Sequence, residues 1–156
     1  MNQRFTNLGE VISMLQQNMF IYSFDANSDF SLIWNVVYKS FFIESLLLGI
    51  SIPPFYLCEE DSKFSVFFGL QQLLTLDDFV KNNFPLTRLE FFKSDNGKKY
   101  DDLSNEQKRL ICGTKIVLNI IDKQTHWSVK EKIFVLIRKV LLNQDIESKF
   151  LVPGST

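Results

Sequence analysis

The chain has 156 residues, of which 46% are hydrophobic and 22% are charged. This profile is typical of a single soluble globular domain, and it excludes disorder, collagen and coiled coil as descriptions of the whole chain. The 17 basic and 18 acidic residues leave a net charge of -1. Because bulk electrostatics dominate nucleic-acid binding, direct binding of DNA by this chain is not expected.

The rare residues limit the chemistry further. The chain has one histidine, His126, and two distant cysteines, Cys58 and Cys112. A closed zinc site of cysteines and histidines needs more ligands than these, so no metal site is expected. We expect His126 to be a surface or capping residue before a helix. The cysteine spacing does not indicate a disulfide framework, which favours a reducing compartment.

The apolar segments predict no membrane anchor. No apolar run follows the N-terminal residues, so a signal peptide is not expected. The most apolar stretch, 41–58, is interrupted by Glu44 and by Pro53-Pro54, whereas a membrane helix needs about 20 mostly apolar residues. The sequence therefore predicts a cytoplasmic protein without membrane contact.

The first half of the chain alternates helix and strand signals. Asn7, with Glu10 three residues on, predicts a capped helix that ends near Asn18. Aromatic and β-branched residues at 20–24 predict a strand. Ser40 is predicted to cap a nearly all-apolar helix over 41–49, with Glu44 in the first turn and Gly49 as the stop.

Strands are predicted at 55–58 and 63–68 around a turn, and Gly69 then opens a helix that ends at Asn82-Asn83. In the second half, Asp95-Asn96-Gly97 predicts a hairpin between 87–92 and 98–100. Ser104 is predicted to cap a short helix, followed by a strand at 115–121.

The last predicted helix starts with a capping box at Ser128. Its predicted apolar stripe consists of Val129, Ile133, Leu136, Ile137 and Val140. Residues 151–156 are expected to be a frayed tail. The pattern predicts an α+β fold in which short strands and hairpins are interleaved with helices. The absence of a linker or repeat predicts one domain over 1–156.

Two segments resemble a known family. One has Trp34-Asn35, then Lys39-Ser40, and then Ile-Glu-Ser-Leu-Leu-Leu-Gly at 43–49. The other has Phe-Gly-Leu-Gln-Gln-Leu at 68–73. In order and spacing over 29–80, they resemble the ParB-like N-terminal domain of GmrSD-type, modification-dependent restriction enzymes. The block at 43–49 is the most specific part of this resemblance.

The resemblance implies a nucleotide pocket at the turn that contains Gly69. In such a pocket, a glycine lets the backbone approach a phosphate, and the following helix N-terminus offers free N–H groups. The implied nucleotide-binding residues are Lys39, Ser40, Gly69, Gln71 and Gln72. The ligand would be a nucleoside triphosphate with Mg²⁺, and the implied family activity is hydrolysis coupled to restriction of modified phage DNA. The alternative to a nucleotide pocket is that Gly69 only forms a strand-to-helix turn and that Ser40 is an ordinary helix cap.

One aspartate and three arginines of the family pattern are replaced in this chain. Phe68 stands where the family has an aspartate, and Gln72 where it has an arginine. Two further family arginines correspond to Phe30 and Leu136. Because an arginine offers five donors and a fixed charge, these replacements remove the groups that would neutralise a triphosphate. No catalytic residue is therefore assigned.

Three hypotheses follow from these residues. The favoured one is a degenerate, non-catalytic module of a phage-restriction system, acting through a partner, such as a nuclease-bearing chain, or through weak nucleotide binding. The second is a working nucleotide hydrolase, which requires two of Asp77, Asp78, Arg88 and Arg138 to converge near Gly69. The third is an interaction protein with no role in defence.

Overall fold

The computed structural model describes residues 1–22 and 34–150, with side chains as far as Leu141. The described elements, in chain order, are β1 (Asn2–Asn7), α1 (Leu8–Gln16), β2 (Phe20–Ile21), α2 (Val36–Leu47), β3 (Phe55–Glu60), β4 (Lys63–Phe68), α3 (Leu70–Val80), α4 (Asn105–Gly113), β5 (Lys115–Ile121) and α5 (Trp127–Phe150). Short 3-10 turns at Lys93–Asp95 and Tyr100–Asp102 lie between α3 and α4. The fold is α+β, as predicted.

The five strands form one mixed sheet in the order β1-β5-β3-β4-β2. The pairs β1–β5 and β3–β4 are antiparallel, whereas β5–β3 and β4–β2 are parallel. The register of β3 on β4 shifts between Tyr56 and Leu57, so that Tyr56 pairs with Phe68. This bulge lies at the end of β4, directly before Gly69.

The main core lies on one face of the sheet. Phe55 and Leu57 of β3 and Leu118 of β5 are fully buried, and they belong to a cluster with the apolar residues of α1 to α4. Cys58 and Ile121 have the opposite parity in paired strands and are also buried. Because side chains alternate between the faces of a strand, these two residues face a second layer.

Helix α5 supplies part of that second layer. The ring of Phe134 packs edge-to-face on Phe67 of β4, with 5.4 Å between the ring centroids. Ile137, almost one turn further along α5, is buried. Along α5 as far as Leu141, Ile137 is the one buried residue, so the helix is attached along a narrow side.

Several predicted helix ends are confirmed. Asn7 caps α1 by accepting the N–H of Glu10 at 3.0 Å. The carboxylate of Glu10 binds the side chains of Arg4 and Thr6 instead of closing a capping box. Ser104 and Gln107 form the reciprocal box that was predicted for α4.

The predicted cap of α5, Ser128, is two positions too late. The helix begins at Trp127, before Ser128, and Nδ1 of His126 accepts the N–H of Ser128 at 3.2 Å. His126 was predicted to be a surface or capping residue, and the structure shows it as a capping residue.

The predicted start of α2 is wrong. Asn35 is the cap, and its Oδ1 accepts the N–H of Tyr38 at 3.0 Å. Ser40 therefore lies one turn inside the helix, and Glu44 lies in its last turn rather than in its first. The helix begins with Val-Val-Tyr at 36–38, residues with modest helix propensity, which concealed its first turn. Gly49, with φ +77°, follows the end of α2 as predicted.

The predicted hairpin at Asp95-Asn96-Gly97 is also wrong, because no strand occurs between Lys81 and Ser104. Leu86 makes two backbone hydrogen bonds across this segment, to Gly97 N–H and to Lys98 C=O. Asp95 is buried and accepts hydrogen bonds from Lys98 Nζ and Gln107 Nε2, both at 2.8 Å. These contacts turn Asp95 inward and fix a 3-10 turn instead of a tight hairpin turn.

The predicted strand at 20–24 is present as Phe20–Ile21, and its last two residues lie outside the described part of the chain. The tail at 151–156 also lies outside it. Among the described residues, no helix has the length and hydropathy that crossing a bilayer requires.

Asp95 predicts a pH dependence of stability. The hydrogen bond from Lys98 holds the pKa of Asp95 below its ordinary value, although burial opposes this shift. A lowered folded-state pKa stabilises the fold above the ordinary pKa, and this contribution is lost as the pH falls through the folded value. Asp95→Asn should therefore lower the unfolding free energy at pH 7 by about 1–3 kcal/mol.

Urea unfolding of the wild type and the variant at pH 7 and below pH 4 measures this effect. The difference between the two proteins should shrink at the lower pH. Asp101→Asn, at an exposed position in the same segment, is the matched control and should change little at either pH. A difference that stays constant with pH contradicts the ionic role of Asp95.

Candidate functional site

The predicted nucleotide-binding residues lie on two neighbouring helices. Lys39 and Ser40 belong to α2, and Gly69 caps α3, with Gln71 and Gln72 in its first turn. The N–H of Trp34, just before α2, donates to Oε1 of Gln71 at 3.0 Å. The starts of α2 and α3 are therefore adjacent, and each predicted residue can be followed to its own contacts.

Gly69 is required by packing at the end of β4. Its φ of +108° lies in the left-handed region, where side chains are strained. A Cβ at this position would lie 2.4 Å from Cδ1 of Phe55, a fully buried ring. The side of Gly69 that a phosphate could approach in place of a side chain is thus filled by Phe55.

Lys39 is directed toward the far end of α3. Its Nζ lies 2.6 Å from Oδ2 of Asp78 and 5.5 Å from the centroid of the Phe84 ring. Asp78 follows Gly69 by nine residues, which is about 13 Å along a helix. The positive charge of Lys39 is therefore balanced by a carboxylate, away from the turn at Gly69.

Ser40 and Glu44 hold the long segment between α3 and α4. Ser40 is fully buried, donates to the carbonyl of Val36 at 2.7 Å and accepts the N–H of Thr87 at 3.1 Å. Glu44, one turn further along α2, is 5% exposed. Its carboxylate accepts the backbone N–H groups of the three residues at 90–92, at 3.0–3.2 Å. We call Ser40 and Glu44 the loop anchor.

The two predicted glutamines, Gln71 and Gln72, lie where the start of α3 meets the start of α2. Oε1 of Gln71 is occupied by Trp34, and its backbone carbonyl accepts the hydroxyl of Thr75 at 2.7 Å. Gln72, at the position of a family arginine, is half-buried. Phe68, at the position of the family aspartate, packs edge-to-face on Tyr56 with 6.3 Å between centroids. The other replaced position, Phe30, lies outside the described residues.

Three of the four charged residues named by the hydrolase hypothesis have separate partners. Asp77 pairs with Lys81 at 2.9 Å, and Asp78 pairs with Lys39. The guanidinium of Arg138 lies 5.6 Å from the centroid of the Phe134 ring. No hydrogen bond or ion pair within the described residues joins any two of the four candidates. No cluster of three potential metal ligands occurs among those residues either.

Two depressions in the described surface lie away from the predicted binding residues. One, of about 260 Å³, follows the outer side of α4 and is lined by Asn105, Lys108, Arg109 and Cys112. The other measures about 50 Å³ and lies where α1, β2 and α3 meet. Ligand pockets usually measure about 300–1,000 Å³. None of the five predicted binding residues lines either depression.

Two tyrosines near these depressions have raised pKa values. Burial, and secondarily the charge of Asp77, raises the pKa of Tyr22 to about 12. Burial also raises the pKa of Tyr100 to about 12, with a further contribution from Cys112. Both side chains therefore remain neutral phenols at physiological pH.

Part of the apolar stripe predicted for the last helix lies on the surface of the protein. The predicted apolar stripe of the last helix is divided in the structure, because Ile137 is buried and Ile133 half-buried, whereas Leu136 and Val140 are 60% and 56% exposed. Leu136, at the position of a family arginine, thus lies on the surface of α5. The spacing alone could not show which part of the stripe would meet the sheet.

The loop anchor predicts a large effect of Glu44→Ala on stability. Removing the carboxylate leaves three backbone N–H groups near 90–92 without their acceptor, and unfolding should become easier by about 3 kcal/mol. Thermal or urea unfolding measures the loss. Glu90→Ala, at an exposed position in the anchored segment, is the control and should stay within about 0.5 kcal/mol of the wild type. Equal effects at both positions contradict the anchor.

Gly69→Ala separates close packing from backbone strain. Gly49 also has a positive φ, but no atom lies within 4 Å of the place that a Cβ would take there. Gly49→Ala should therefore cost about 1 kcal/mol from strain alone. Gly69→Ala adds the contact with Phe55 and should cost about 2–4 kcal/mol. Urea unfolding of both variants gives the comparison, and equal costs contradict the role of Phe55.

Comparison of the chain with family models, curated proteins and solved structures finds no match. The ParB-like resemblance therefore depends on the residues quoted above, and the family assignment stays a prediction.

Proposed function

We propose that this chain is a non-catalytic, ParB-like module of a GmrSD-type phage-restriction system and that it acts in the cytoplasm by binding a partner protein. The nuclease of such a system belongs to the partner chain. One observation carries the proposal: the Gly69 turn, where the family would bind a nucleotide, is closed by the buried ring of Phe55.

The electrostatics of the same region support this proposal. A triphosphate is bound by cations and by free N–H donors. Lys39 is paired with Asp78, and Ser40 is committed to Val36 and Thr87. Binding a nucleotide would require these contacts to break. The replacement of an acidic position by Phe68 also removes a possible ligand of Mg²⁺.

The exposed side of α5 supports a role in binding a partner. Leu136 and Val140 lie on the surface although neither has a polar group. Adjacent exposed apolar residues are characteristic of protein interfaces. An interaction protein with no role in defence would use the same surface, and the resemblance is what favours the restriction system.

The proposal is tested with the full chain and each common nucleoside triphosphate at millimolar concentration with Mg²⁺. We expect no selective rise in melting temperature and no release of phosphate, because the turn at Gly69 is filled. A ligand at 100 times its dissociation constant would stabilise the fold by about 2.7 kcal/mol, which corresponds to a few degrees for a domain of this length.

A selective rise with one nucleotide would contradict the proposal and favour the hydrolase hypothesis. Lys39→Ala is the control for such a rise, because a shift that persists without this lysine arises from another site. Nucleotide-dependent release of phosphate that depends on Lys39 would establish the hydrolase.

A further inference from the structure

The exposed apolar residues of α5 form one line along the helix. Val129, Leu136 and Val140 are separated by seven and four residues, which places them within an arc of about 40°. They are 45%, 60% and 56% exposed. We call these three residues the α5 stripe. It lies beside the edge of α5 that carries Ile133 and Ile137 and faces the sheet.

Two lysines border the α5 stripe on the side away from the sheet. Lys132 precedes Leu136 by four residues and Lys139 follows it by three, so both lie on one flank of Leu136. Both side chains are exposed. None of the ion pairs within the described part of the chain uses either lysine.

The described surface of α5 is basic in a chain that is slightly acidic overall. Between Trp127 and Leu141 it has four cations, Lys130, Lys132, Arg138 and Lys139, and one anion, Glu131. The net charge of this part is therefore +3, whereas that of the chain is -1. Of these four cations, Lys132 and Lys139 border the α5 stripe, so a ligand for this side of α5 needs an apolar face and an acidic border.

We propose that the α5 stripe docks an amphipathic helix of the partner protein, with an acidic row that meets Lys132 and Lys139. This inference rests on the proposed function, since it names the chemistry of the partner. An amphipathic helix supplies an apolar face of matching spacing, and its acidic border gives orientation and specificity.

Charge complementarity argues against a second copy of this chain as the occupant. In a two-fold antiparallel pair of α5 helices, the same flanks face one another, so Lys132 and Lys139 would meet the same two lysines of the other copy. A parallel pair would need the opposite flank of α5, which lies against the sheet through Phe134 and Ile137.

The test uses two synthetic amphipathic peptides as probes and the full chain as receptor. Both peptides have leucine at the a and d positions of three heptads. One has glutamate at every e and g position, and the other has lysine. The like charges on each peptide oppose its self-association. Calorimetric titration should show micromolar binding of the glutamate peptide and binding of the lysine peptide that is at least about tenfold weaker.

Variants on α5 locate the binding surface. Leu136→Lys should weaken binding of the glutamate peptide by about tenfold or more, because the central apolar contact is lost. Val135→Lys is the matched control, since Val135 is 43% exposed on the same helix but lies off the stripe. It should not weaken binding, since the added cation lies on the flank that carries Lys132 and Lys139. Lys132→Glu combined with Lys139→Glu should reverse the preference between the peptides. Thermal unfolding verifies that each variant is folded.

Several outcomes would overturn the inference. These are equal binding of both peptides, no binding of either, and equal effects of Leu136→Lys and Val135→Lys. A dimer in sedimentation that Leu136→Lys dissociates would assign the stripe to a second copy. Tighter binding to phosphatidylserine vesicles than to the glutamate peptide, lost in Leu136→Lys, would assign it to a membrane surface.

The failure of this inference and that of the proposed function are distinguishable. A nucleotide-dependent rise in melting temperature together with charge-selective peptide binding overturns the non-catalytic role and leaves the docking site intact. The absence of both effects overturns the docking site and leaves the non-catalytic role intact.

Discussion

The buried carboxylate of Glu44 is the interaction on which the arrangement of the helices depends. The segment between α3 and α4 has no strand or α-helix, so many of its backbone N–H groups lack the acceptors that regular structure supplies. Glu44 supplies two oxygens to three of them, and Ser40 supplies a third acceptor one turn earlier. Because both residues lie on α2, the segment is fixed to the same helix whose apolar residues fill the core. The loop anchor thus joins the longest connection in the described chain to the centre of the fold.

This anchor gives a physical explanation of the block that carries the family resemblance. Within the block at 43–49, Glu44 binds the loop, Leu46 and Leu47 are buried, and Gly49 takes a left-handed conformation after the helix. Each of these residues is explained by folding alone. This chain keeps the lysine and the glutamate of the quoted segment as Lys39 and Glu44, whereas one aspartate and three arginines of the family pattern are replaced. A resemblance carried by such residues predicts architecture more directly than activity, because chemistry depends on the groups at a site.

The sequence predicted elements whose signals are local. The strand β5 is rich in β-branched apolar residues, although it also contains Lys115 and Asn119. The caps at Asn7 and Ser104 depend on residues three apart. Elements determined by distant partners were not predicted. Strand β1 is polar and exposed, so no alternation marks it, and only pairing with β5 makes it a strand. In the candidate site, the sequence predicts Lys39 and Ser40 as nucleotide-binding residues, and the structure shows their contacts within the fold. Their partners Asp78 and Thr87 are more than 35 residues away, and no spacing rule could identify them.

Helix α5 has more apolar residues than its contact with the sheet buries. The contact between α5 and the sheet is narrow: Phe134 packs on Phe67, and Ile137 is buried. The apolar positions of α5 span a wider arc than this contact can use, so the α5 stripe stays outside. A helix with only a structural role gains nothing from leucine and valine at such positions, where lysine or glutamate would form helix as well. The apolar surface that the fold does not need is therefore the surface on which a partner can act.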